Sequence, residues 1–111
     1  MKRELRLTKT AQFATVYNHG KSWANDLLVV KAFPNGSQLN RFGFSVNKRV
    51  GKAVVRNLIK RRLRSCVESL FWETGWDLVF VARSTTAQAS YSKLNRAVEQ
   101  LNRRARLKEI E

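Results

Sequence analysis

The chain has 111 residues, enough to bury one core and too few for two, so a single domain spanning 1–111 is expected. Its composition, 43% hydrophobic and 27% charged, excludes wholesale disorder and puts the anomaly in the sign of the charge: 22 Lys and Arg face 8 Asp and Glu. A formal charge of +14 opposes compaction and fits a polyanionic partner, which narrows the classes to nucleic acid, acidic membrane or acidic protein.

In chain order, the first predicted element is a short helix in LTKTAQFATVYNHG. Thr8 or Thr10 serves as N-cap, Phe13, Val16 and Tyr17 stand at i, i+3 and i+4, and Gly20 acts as a left-handed stop. SWANDLLVVKAF, Ser22 to Phe33, is rich in β-branched and apolar residues and ends on the turn signal PNGS; it predicts one strand, or a very short one followed by a longer one. RFGFSVN alternates strictly, with Phe42, Phe44 and Val46 on a buried face and Arg41, Gly43, Ser45 and Asn47 on a polar one. After Gly51 the period changes, and Val55, Ile59, Leu63, Cys66, Val67 and Leu70 form the stripe of an amphipathic helix reaching about Trp72. WDLVFVAR reads as an interior strand covered on both faces. Leu94, Ala97, Val98, Leu101 and Ala105 then close the chain with a second long helix carrying arginines opposite its apolar stripe. This order of elements predicts the α+β class, one sheet with helices packed on it.

The sharpest functional signal lies in KRVGKAVVRNLIKRRLRS, Lys48 to Ser65, with 8 basic residues and no acid. On a helix Lys52, Arg56, Lys60 and Arg64 line one flank beside the apolar stripe, and Arg61 and Arg62 extend the charge around it. Lys48 and Arg49 precede the helix, where free backbone N–H groups also favour anions. Each like-charge pair at i, i+4 destabilises a lone helix by roughly 0.2–0.5 kcal/mol, a repulsion that bound phosphates would relieve, so phosphate binding is favoured over a merely solvated face. An interfacial membrane helix would need its apolar face free, whereas this stripe is required for the core. Zinc-finger spacing and a helix-turn-helix pattern are both absent from the sequence.

Phe13 and Tyr17, one turn apart, have the spacing to stack unpaired bases, although periodicity alone favours packing on the sheet. His19 beside Gly20 reads as a cation at a helix C-terminus, and Cys66, the one cysteine, as a buried, inert thiol. The acids are scattered, Glu109 and Glu111 falling at a frayed end, so neither a catalytic constellation nor a metal site is expected. Trp23, Trp72 and Trp76 are read as core covers. MKRELRLTKTAQF lacks the continuous apolar core of a secretion signal, and no apolar run is long enough to span a bilayer; a cytoplasmic location is expected.

RFGFSVNKRVGKAVVRNLIKRRLR closely resembles the signature of the bacterial ribonuclease P protein subunit: a Gly-containing strand, a basic turn, Ala-Val, two residues, Arg-Asn, and Lys-Arg three positions on. Gly43, Lys48, Arg49, Gly51, Ala53, Val54, Arg56, Asn57, Lys60, Arg61 and Arg64 carry the match. The likeness extends to the first helix and to DLVFVAR, and so covers nearly the whole chain. It implies an αβββαβα sandwich, ribosomal-protein-like, with a central mixed four-stranded sheet and a left-handed βαβ crossover, where pattern arguments alone would give a right-handed one. It also implies a non-catalytic RNA-binding subunit beside a large catalytic RNA, which removes the 5′ leader from precursor tRNA using Mg2+ bound mainly by the RNA, and a protein monomer in a 1:1 ribonucleoprotein. By the same resemblance Lys48, Arg49, Lys52, Arg56, Asn57, Lys60, Arg61 and Arg64 form the RNA-binding motif. Phe13, Tyr17, Val29, Lys31 and Ser45 line a cleft for the single-stranded leader. Leu58 and Ser65 depart from the family pattern, standing where an arginine and a glutamate are common, and Lys31 stands where an aromatic is sometimes found. Two other readings share the charge: a structural protein of another ribonucleoprotein such as the ribosome, and a self-sufficient nuclease.

Overall fold

Strands with one apolar face, and one unbroken apolar strand among them, make a sheet with two faces to cover, and the amphipathic segments supply the covers. The computed structural model describes residues 1–2 and 5–105; Glu109 and Glu111 lie outside them. Its elements are helix α1 (Thr10–His19), strands β1 (Lys21–Ala24), β2 (Leu28–Pro34) and β3 (Arg41–Ser45), helix α2 (Ala53–Glu68), strand β4 (Trp76–Ala82), a 3₁₀ turn (Ser84–Gln88) and helix α3 (Tyr91–Ala105). The sheet order is β1-β2-β4-β3. β2 runs antiparallel to both β1 and β4, while β3 and β4, joined through α2, are parallel. The free edge of β3 is bridged by the N-terminal segment, where the Leu7 N–H donates to the Phe42 carbonyl at 2.9 Å.

Leu28, Val30 and Ala32 of β2, Phe42 of β3 and Leu78, Phe80 and Ala82 of β4 share one face, covered by Ile59, Leu63 and Val67 of α2 and Leu94, Val98 and Leu101 of α3. Full burial of such side chains is worth about 1.5–3 kcal/mol each, so this layer dominates the stability. Trp72 meets Phe80 edge-on at 5.5 Å and donates its indole N–H to the Val67 carbonyl at 2.9 Å. That bond turns the chain back, and α2 therefore ends at Glu68, short of the Trp72 the periodicity suggests. The other face carries a smaller cluster, Leu7, Val16 and Val79, under α1. β4 is buried on both sides, as its continuous apolar text predicts.

The structure differs from the sequence expectations at both ends of α1. Lys9 is the N-cap, because the Gln12 side-chain oxygen reaches back to accept from the N–H groups of Thr8 and Lys9 at 3.2 and 3.1 Å, leaving Thr10 inside the first turn. Gly20 is extended at φ −76° rather than left-handed. Glycine is needed there for close approach, since a Cβ would stand 2.5 Å from the Val16 carbonyl oxygen and 2.9 Å from that of Ala32. Gly43 is likewise not on an open polar face: it is buried beneath the Phe13 ring, which would lie 2.6 Å from a Cβ.

Candidate nucleic-acid interface

Packing Ile59, Leu63, Cys66 and Val67 inward leaves the charged positions of α2 on its flank and outer face. Lys52, Asn57 and Arg61 are exposed, while Arg56, Lys60 and Arg64 are half-buried along the edge of the stripe. The Arg64 guanidinium carbon sits 5.7 Å from the Phe44 ring centroid, and Phe44 stacks on Phe80 at 5.8 Å, so this flank of α2 lies over β3. Arg56 Nε is buried without a hydrogen-bond partner, a donor the fold leaves unused. Lys48 and Arg49 are exposed in a tight turn in which the Asn47 side chain accepts from the Arg49 N–H at 3.0 Å. α2 begins at its N-cap, Lys52, with no capping side chain and no acid in its first turn, so nothing offsets the positive end of its dipole. Among the described residues the ion pairs are the Met1 amino group with Glu68 and Arg41 with Asp77, and neither involves a cation of α2. The row is thus an uncompensated positive field, able to take anions spaced along its length.

The opposite face of the sheet carries the second surface. Val29, Val81 and Ser45 stand in one register row across β2, β4 and β3, all half-buried, next to the row Lys31, Val79 and Gly43 that α1 covers. Phe13 and Tyr17 project from α1 onto this face, Phe13 over Gly43 and Tyr17 38% exposed. The Lys31 ammonium lies 5.8 Å from the Tyr17 ring centroid. The result is a trough floored by Val29, Val81 and Ser45 and walled by α1, offering an apolar floor, an accessible phenol ring and one cation. Because Lys48 follows Ser45 by three residues, the chain spans at most ~11 Å from trough to basic turn, and the two surfaces adjoin. All the residues singled out for base and phosphate contact therefore fall into these two groups. Val81 escaped the sequence reading; only the strand register, not the local text, puts it between Val29 and Ser45.

Other titratable groups are engaged structurally. Arg41 forms a two-pronged contact with the buried Asp77 carboxylate, Nε–Oδ1 2.8 Å and Nη2–Oδ2 2.7 Å, and this hydrogen bonding pushes the Arg41 pKa up. Cys66 is buried and its pKa is raised, chiefly by desolvation. His19 ends α1 and packs obliquely on Phe33 at 6.1 Å. Among the described residues no three His, Cys, Asp or Glu side chains come together to hold a metal ion, and no helix is long and apolar enough to cross a membrane.

Comparison with known proteins points to one family. The family model described as Ribonuclease P matches residues 1–106. The ribonuclease P protein component of Clostridium kluyveri is 42% identical over 106 residues, covering 92% of this chain and 95% of that protein. The ribonuclease P protein of Staphylococcus aureus superposes with a TM-score of 0.86 at 30% identity, covering 95% of this chain and 98% of the other. That of Thermotoga maritima gives 0.82 at 27% identity, covering 89% and 96%. Fold and sequence thus converge on a single group along almost the whole length of the chain: it belongs to the ribonuclease P protein family.

Proposed function

We propose that this protein component of ribonuclease P binds and orients RNA while an RNA subunit performs the cleavage. The uncompensated cationic flank of α2, with Arg56, Lys60 and Arg64 half-buried, Arg64 over Phe44 of β3, and all three outside every ion pair among the described residues, is the observation that supports it. In this reading the flank, with Lys48, Arg49, Lys52, Asn57 and Arg61, binds the catalytic RNA, and the adjoining trough holds the single-stranded 5′ leader of precursor tRNA.

Each part follows from its chemistry. Cations held at the rim of a stripe lose little freedom on meeting phosphate, and their mutual repulsion is relieved when they do. Tyr17 offers a ring for base stacking, worth about 1–3 kcal/mol, with Phe13 fixing the wall behind it. Lys31 and Ser45 are within the same row pair to contact the leader backbone or base edges. Held in this way, the leader fixes where the scissile bond lies relative to the catalytic RNA, a contribution of position rather than of acid-base chemistry. In this reading the Mg2+ that serves the cleavage is held mainly by the catalytic RNA. A 1:1 complex in the cytoplasm completes the proposal.

The test is binding to the catalytic RNA as a function of salt, with Arg56, Lys60 and Arg64 replaced by Ala. Each phosphate that is no longer neutralised lowers the slope of log K against log salt by roughly 0.7–0.9, so the triple variant is expected to lose about 2 units. An unchanged slope would refute the phosphate role of α2.

A further inference from the structure

α3 carries a second cationic face that the reading above leaves unused. Lys93, Arg96, Arg103 and Arg104 fall within a sector of roughly 100° of the helix, at 100° per residue. That sector points away from α2. The α2 side of α3 is taken by Tyr91, hydroxyl to hydroxyl with Ser65 at 2.8 Å, and by Asn102, which donates to the Phe71 carbonyl at 2.8 Å. The cationic sector instead meets the turn between β1 and β2, where it forms a groove of about 780 Å3 with Asn25, Asp26 and Gln100.

The groove is built, not a loose scatter of side chains. Asn25 bridges the layers, donating to the Ala97 carbonyl at 3.0 Å and to Gln100 Oε1 at 2.9 Å while accepting from the N–H groups of Leu27 and Leu28. Arg104 is anchored by one N–H on the Ala24 carbonyl, and neighbouring Arg83 by one on the Asn25 carbonyl. An anchored guanidinium keeps its other donors for a ligand and loses little freedom in using them. Two acids, Asp26 and Glu99, line the groove against four cations, and neither belongs to an ion pair among the described residues. The balance remains positive.

Topology then separates this groove from α2. α3 lies over β1 and β2, α2 over β3, and β1 and β3 are the two outer strands of the sheet. We infer that the α3–β1 groove is a second site for the phosphodiester backbone of the catalytic RNA, so that the protein contacts two separate RNA segments from opposite edges of its sheet. The inference rests on the RNA-partner reading and adds a surface to it.

The test replaces Lys93, Arg96 and Arg103 with Gln, leaving the loop-anchoring Arg104 and Arg83 in place, and measures affinity for the catalytic RNA against salt beside the α2 triple variant. Far-UV circular dichroism and thermal melting report whether the fold is kept. The expected result is a slope smaller by about 2 units in each triple variant and additive when the two are combined. A companion variant carrying Arg96→Lys in place of Arg96→Gln keeps one more charge and is expected to recover part of the loss. An unchanged slope for the α3 variant beside a reduced slope for the α2 variant would overturn the second site alone; unchanged slopes in both would overturn the RNA-binding reading as well. A variant that melts early is replaced by Lys93→Gln with Arg96→Lys, which keeps the arginine site charged; a slope lower by less than half a unit would count against the groove.

Discussion

Phe13 and Tyr17 are spaced alike with respect to the trough, yet they are held differently. Phe13 is half-buried against Gly43, whereas Tyr17 keeps 38% of its surface open beside Lys31. Tyr17→Ala is therefore the cleaner probe: it is expected to weaken precursor tRNA binding by roughly 5- to 150-fold, the equivalent of one stacked base, and to leave mature tRNA binding unchanged. Equal losses for both tRNAs would assign the ring to packing. Gly43→Ala tests the seat of Phe13, because the new Cβ would stand 2.6 Å from Cε1 of that ring. Overpacking of this kind costs about 1–3 kcal/mol, readable as a lower urea midpoint. Cys66 gives the pH prediction. Burial raises its pKa, so the folded state holds the thiol proton after the unfolded state has lost it, and stability is fully present below ~8.5 and falls as pH rises beyond it. Denaturation midpoints at pH 7 and 9.5 check the sign, and Cys66→Ala should flatten the difference. The alternation of RFGFSVN located Gly43 correctly on the face opposite Phe42, but which helix covers that face is a tertiary fact, and so the glycine's role as a seat for Phe13 was not legible.

At the scale of elements, α2 combines a packing stripe with a flank that weakens its own helix. It starts without a side-chain cap and carries like charges at Lys52, Arg56, Lys60 and Arg64. Lys52→Ser supplies an N-cap and removes one repulsive pair; it is expected to raise stability by about 1 kcal/mol while lowering affinity for the catalytic RNA. A gain in both would show that the charge at this position has no partner. α2, β4 and α3 were readable because burial writes itself into period: 3.6 for the stripes, an unbroken run for a strand covered twice. The ends were less so. Where α1 starts depends on Gln12 reaching back to Lys9, and where α2 stops depends on the Trp72 indole reaching Val67. The 3₁₀ turn at Ser84–Gln88, with Thr86 buried, spans too few residues to show a period at all.

For the whole molecule, a net charge of +14 foretold a polyanionic partner, but not where the charge would gather. The sheet order decides that. The parallel pairing of β3 with β4 puts α2 at one edge, and the antiparallel β1 puts the cationic face of α3 at the other. No local pattern specifies which strands become neighbours, so the register row Val29, Val81 and Ser45 emerges only in the assembled sheet. In the proposed function the trough holds the leader while the basic turn and α2 meet the catalytic RNA. Cleavage of a precursor tRNA at near-physiological magnesium tests this most directly, with the protein alone, the catalytic RNA alone and the two together. Strong 5′ processing is expected only in the combined reaction; cleavage by the protein alone, or no gain over the RNA alone, would contradict a positioning role for the protein.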